Sequence, residues 1–199
     1  MKRKFFFVAA VIAACVVFTG NAASARPGGT TTTRTSLLAT IGVAATSSDN
    51  SVCSQIVIFG VQNWQCTPVL AATGTAFHPL VSMGGSLSWS GFATCEYRKH
   101  ADGFNNSWGP WTSCGPFSKS ASGSRSWGLL AAPGSGTLVL QWPRITNAET
   151  AFATDCVEIR TSISTNATAS NLLESVSTSS RFPSSGTNLS GVCEGGSPY

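Results

Sequence analysis

Seven cysteines, two histidines, eight acids and six tryptophans are the side chains through which this 199-residue chain could do chemistry. Nucleophilic catalysis needs a base beside a serine or cysteine. Only His78 and His100 offer an imidazole, and neither a G-x-S-x-G elbow nor an S-x-x-K pair occurs. His78 precedes Pro79, which reads as a loop, so both histidines are expected to be surface or structural. Paired carboxylates could hydrolyse a glycosidic bond, and Glu96 with Asp102 is the one suggestive couple among scattered acids. Asp102-Gly103-Phe104-Asn105-Asn106 has the oxygen ligands a calcium loop would use, but a plain turn accounts for it. No C-x-x-C spacing favours zinc. The expectation is a non-enzymatic chain with no metal and no cofactor.

The aromatic residues are the better lead. A tryptophan has a large area to bury, so Trp64, Trp89, Trp127 and Trp142 are expected in the core. Trp108 or Trp111, set beside Asn105, Asn106 and Asp102, could instead lie on a loop. An indole face would then stack on a sugar ring while the polar groups bind its hydroxyls. Residues 95–114 read as a strand, an Asp-Gly/Asn-Asn turn region and a returning strand. By parity Trp108 and Trp111 face opposite ways, which predicts one in the core and one exposed.

The elements holding these residues read as β-structure. Ser and Thr make up 49 of the 174 residues after position 25, and such a chain favours strands and turns over helices. Trp89, Ala93, Cys95 and Tyr97 alternate with Ser88, Ser90, Thr94, Glu96 and Arg98. Val157, Ile159, Thr161 and Ile163 alternate with Glu158, Arg160 and Ser162, and Leu138, Leu140 and Trp142 share one strand face. Period-2 alternation marks half-buried antiparallel strands. Ile56 to Val61 is apolar on both faces and suits a central strand. Thr146-Asn147-Ala148-Glu149 matches a helix capping box, and Asn171 to Val176 reads as another short helical turn. Residues 26–35, with Pro27, two glycines and a threonine tract, read as a flexible linker. The expected fold is all-β over 36–199, a disulfide-stabilised antiparallel β-sandwich with an irregular tail.

The N-terminus has the layout of a secretory signal peptide over residues 1–25: Lys2, Arg3 and Lys4, an apolar run from Phe5 to Phe18, then Ala23-Ser24-Ala25. The apolar run is shorter than the roughly 20 residues of a membrane-spanning helix. Ile12-Ala13-Ala14-Cys15 offers a competing reading as a lipoprotein box. Removing the leader takes three of twelve cations and leaves nine against eight acids, a net charge of +1. No basic cluster remains, which argues against nucleic acid and anionic membranes as partners. Six cysteines remain: Cys53, Cys66, Cys95, Cys114, Cys156 and Cys193. An even number in an exported chain implies disulfides. They allow 15 pairings; the nearest-neighbour set, 53 with 66, 95 with 114 and 156 with 193, is the simplest.

Two resemblances arise from these residues. The order Cys95, Trp108, Cys156 resembles the Cys…Trp…Cys spacing of immunoglobulin-like domains and implies a sandwich of that topology, although Thr154 stands where that family has its corner tyrosine and Cys114 competes for Cys95. Trp108-x-x-Trp111-x-x-Cys114 is similar to the start of a thrombospondin type 1 repeat, which implies a layered Trp/Arg stack. The sequence offers Arg125 and Trp127 for it. The expected role is that of a secreted binding or surface module recognising a glycan or protein through aromatic loops. The alternatives are a self-associating envelope or matrix component and a small glycoside hydrolase.

Overall fold

The computed structural model describes residues 28–58, 61–79, 83–101, 107–146 and 154–193. The leader, Cys15 and the Asp102, Asn105 and Asn106 turn lie outside the described residues. In chain order the strands are β1 (Gly28–Thr35), β2 (Gly42–Asp49), β3 (Val52–Ile58), β4 (Val61–Thr67), β5 (Val69–Phe77), β6 (Gly85–Ala101), β7 (Ser107–Trp108), β8 (Thr112–Trp127), β9 (Ser135–Gln141), β10 (Ile145–Thr146), β11 (Thr154–Asn171), β12 (Ser175–Phe182) and β13 (Asn188–Cys193). All ladders among them are antiparallel.

One sheet runs β1-β2-β5-β9. A second, built on long strands, runs β12-β11-β6, with β8 and the short β7 both pairing β6 and β13 pairing β11. The two sheets face each other, β2 and β5 packing across β12, β11 and β6. The small sheet β10-β4-β3 lies beside β11 and β13. No helix long and apolar enough to cross a membrane occurs among the described residues.

Alternation determines which face is buried. Leu87, Ala93 and Cys95 of β6 and Val157, Ile159, Ile163, Ala167 and Ala169 of β11 are buried with Val43, Ala45, Leu70, Ala72 and Leu140 of the facing sheet. Trp89 projects from β6 into a slot where side chains have been removed. A Cβ added to Gly74, Gly136 or Gly123 would stand 2.7, 2.1 or 2.6 Å from Trp89 side-chain atoms. Gly74 and Gly136 are directly paired, as are Gly123 and Trp89, so three bare backbones make the room that one indole fills. Asp49 is a buried carboxylate held by donors alone: Ser51 N–H at 2.8 Å, Asn188 Nδ2 at 2.9 Å and the Thr161 hydroxyl. These bonds tie β2 to β11 and β13.

Cys53 is bonded to Cys66 across β3–β4, and Cys95 to Cys114 across β6–β8. Each bond marks an oxidising compartment, extracellular or periplasmic. The register sets Cys156 of β11 opposite Cys193 of β13. Because Cys114 takes Cys95, the cysteine order that resembles an immunoglobulin-like domain does not correspond to a Cys95–Cys156 bridge.

Several expectations are corrected. The threonine tract from residue 28 is strand β1, paired along its length with β2. β-branched threonine suits an edge strand, and this pairing outweighs the flexibility of the two glycines. Ile56 to Val61 is divided between β3 and β4, which pair antiparallel, and β3 lies at a sheet edge; Gly60, inside the run, is the residue that argues against one continuous strand. Thr146 ends β10 and the rest of the capping box lies outside the described residues. Asn171 to Val176 is not helical: a tight reversal in which Asn171 Oδ1 accepts Leu173 N–H and Glu174 N–H at 2.9 and 2.8 Å joins β11 to β12, which opens at Ser175.

Candidate functional site

The outer face of the long sheet carries the even-numbered residues of β6, β8 and β11, and they sort into two patches. Toward the Cys95–Cys114 bond lie Glu96 and Arg98 of β6 opposite Arg160 and Glu158 of β11. The ion pairs run straight across the ladder, between directly paired residues. Arg98 Nε donates to Glu158 Oε2 at 2.6 Å, and Arg160 Nε donates to Glu96 Oε2 at 2.6 Å. Two cations and two anions balance, so this square has no net charge.

Trp108 and Trp111, from β7 and the entry to β8, fold onto that square. The Arg98 guanidinium lies 4.4 Å from the Trp108 ring centroid and 4.6 Å from that of Trp111, and Arg160 lies 4.3 Å from Trp111. Planar guanidinium stacks well on indole and keeps its edge free for carboxylates. The layered order is Trp108, Arg98, Trp111, Arg160. Both tryptophans are half-buried, which corrects the division into one core and one exposed ring: parity fails across the short, irregular β7-to-β8 connection. The arginines of this stack are Arg98 and Arg160, supplied by neighbouring strands, rather than Arg125, which lies far along β8 and reaches Ser135 O at 3.4 Å. Trp127 bonds Met83 O through Nε1 at 2.8 Å. Sequence spacing identified the tryptophans; their partners are brought in only by the β6–β11 register.

The other patch lies toward the far end of the same strands. Ser126, Ser86, Ser170 and Ser175 stand side by side across β8, β6, β11 and β12. Ser124, Ser88, Thr168 and Ser177 form the next rank, then Ser122, Ser90, Asn166 and Ser179. Next come Ser120, Phe92, Ser164 and Arg181, where the exposed Phe92 ring interrupts the hydroxyls, and then Ser118, Thr94 and Ser162 lead toward the charged square. Adjacent strands are about 4.8 Å apart and alternate residues about 6.8 Å, so the three full ranks cover about 14 by 14 Å. Some neighbours bond each other, Thr168 to Ser177 and Ser170 to Ser175 at 2.8 Å each. A hydroxyl has one donor and two acceptor positions, so even these retain capacity for a ligand. A shallow depression of about 520 Å³ runs over Ser88, Ser90, Ser122, Ser124, Asn166 and Thr168. Asn166 and Thr168 also border a second, toward Thr32 and Arg34 of β1.

Of the residues singled out from sequence, Trp108 and Trp111 meet in the ladder, while Asp102, Asn105 and Asn106 lie outside the described residues. Glu96 is held by Arg160. His78 Nδ1 lies 3.3 Å from Thr40 O, at the opposite end of the sheet. No group of three or more metal-ligating side chains occurs among the described residues. The serine ranks escaped notice because a run of serines carries no motif; the available signal was even-numbered Ser/Thr in three long alternating segments.

No family model and no curated protein matches this sequence. Among solved structures the chain is similar to Clostridium perfringens delta-toxin at 9% identity, covering 83% of this chain and 87% of that one, with a TM-score of 0.17. That assigns no family.

Proposed function

We propose that this chain is an exported, non-enzymatic binding module whose contact surface is the hydroxyl grid, and that its ligand is an extended glycan. The observation that carries the reading is the in-register placement of Ser, Thr and Asn on four adjacent strands. A broad, shallow, uncharged surface rich in donors and acceptors complements a polyhydroxylated chain lying across it. The three full ranks hold no ionisable side chain; the cations that border them on the β12 side are Arg181 of β12 and Arg34 of β1. The Trp108/Trp111 ladder supports the surface from one end: its arginines are committed to carboxylates and its rings to guanidiniums.

Glycan-array profiling of the chain, with pull-down on insoluble cellulose, chitin and peptidoglycan, tests the reading. Binding to at least one of them, reduced about tenfold by Asn166→Ala with Ser90→Ala, is the expected result. Absence of binding to every glycan would overturn it.

A second reading, self-association, draws on β1. Its eight residues pair β2 on one side only among the described residues, and it forms an edge of its sheet. An open edge is a template for a further strand. Concentration-dependent dimers on sizing, abolished by Thr32→Pro, would favour it.

A further inference from the structure

The end of the sandwich away from the two disulfides carries three Leu-Leu pairs, each at the tip of a different connection. Leu37 and Leu38 lie between β1 and β2, Leu129 and Leu130 between β8 and β9, and Leu172 and Leu173 between β11 and β12. All six are exposed, Leu37, Leu172 and Leu130 at 101, 93 and 82%. The tips belong to one end of the molecule. Gly85 pairs with both Trp127 and Asn171, Asn171 Nδ2 donates to Thr40 Oγ1 at 3.0 Å, and Ala76 N–H donates to Gly134 O at 3.0 Å. A mostly apolar cleft of about 540 Å³ opens between the β8–β9 and β11–β12 tips, bordered by Met83, Leu129 and Leu172.

We infer that this end docks onto a zwitterionic lipid bilayer, the six leucines entering the boundary between headgroups and acyl chains. Single exposed leucines are ordinary on protein surfaces, but three pairs on three separate tips are a pattern. Three points define a plane, and a fluid apolar layer accepts them without matching pockets, whereas a folded partner would need a socket for each. The charge distribution agrees. Among residues 36–41, 128–134 and 171–174 the one ionisable side chain is Glu174. Its oxygens accept Leu38 N–H at 2.8 Å and Thr40 Oγ1–H at 2.7 Å, so it already has fixed donors in place of water. With no cationic cluster at the tips, attachment is driven by apolar burial rather than by attraction to anionic lipid.

The backbone supplies an independent sign. Leu130 is held at φ +65°, where glycine or asparagine would sit without strain. A leucine retained in that conformation at a solvent-facing tip is a local cost that packing inside the protein does not explain, and strain of this kind points to use of the side chain.

The test is co-sedimentation of the chain with phosphatidylcholine vesicles at low and high salt, alongside the paired variants L37S/L38S, L129S/L130S and L172S/L173S and the combined six-site variant. The leucines are exposed, so the variants retain the fold, which circular dichroism checks. Partition that is insensitive to salt, falls about tenfold for each pair and is lost in the six-site variant is expected. V139S, which changes an exposed apolar residue on a strand face, should leave it unchanged. Failure of the native chain to bind, equal loss in V139S, or persistence in the six-site variant would overturn the inference. So would leucine-dependent self-association on sizing without vesicle binding. Because glycan binding is measured separately, the fate of the hydroxyl grid does not decide this result.

Discussion

The two patches on the outer face of the long sheet lie on the same strands yet use their side chains in opposite ways. At one end Trp108, Trp111, Arg98, Arg160, Glu96 and Glu158 have the groups that chemistry usually requires, and nearly all of that capacity is turned inward, onto one another. At the other, serine and threonine offer modest groups that mostly face solvent. A residue's functional standing therefore depends on what its neighbours have left unused, and here the plainer patch has more to offer a ligand.

Perturbations should separate the two. The largest effect is expected from C95A/C114A beside the ladder. Releasing a loop with a sequence separation of 19 should lower stability by about 3 kcal/mol, measured by urea unfolding under oxidising conditions. Trp111→Ala comes next: it frees two guanidiniums from one ring and should cost about 2 kcal/mol, with glycan affinity unchanged where the protein remains folded. The grid should respond in reverse. N166A/S90A should stay within about 0.5 kcal/mol of the native stability while affinity drops about tenfold. At the leucine tips, Leu130→Gly should raise stability by roughly 1 kcal/mol by relieving the positive φ, while weakening vesicle binding.

The smallest expected effect is one of pH. Hydrogen bonds from Ser36, the Leu38 N–H and Thr40 hold Glu174 below the ordinary carboxylate range. A depressed folded-state value means that this carboxylate contributes stability above its unfolded value, lost as pH falls through the folded one. Protection of the Leu38 amide, taken relative to its intrinsic exchange rate, should therefore fall as pH drops through the folded-state value of Glu174, with the ladder end changing less at that step.

Much of the architecture was legible because period-2 alternation is a local signal. The inward set Trp89, Ala93, Cys95 and the set Val157, Ile159, Ile163 lie on the buried face as their spacing requires. The Cys53–Cys66 and Cys95–Cys114 bonds follow the simplest pairing because each closes a hairpin, whose two arms are neighbours in space. What escaped is non-local. Arg98 and Arg160 are 62 positions apart and meet over Trp111 only through the β6–β11 register, which no short window contains. The hydroxyl grid is likewise a property of four strands in register, and the leucine tips of three separate loops; each piece alone looks like composition.

The most direct measurement is the affinity of N166A/S90A and of Trp111→Phe for whichever polysaccharide the native chain binds, taken with the melting temperature of each. If the hydroxyl grid is the contact surface, the first variant loses about tenfold in affinity with its melting temperature unmoved, while the second melts earlier and binds as before. Loss of affinity in Trp111→Phe with the grid variant binding normally would contradict the account.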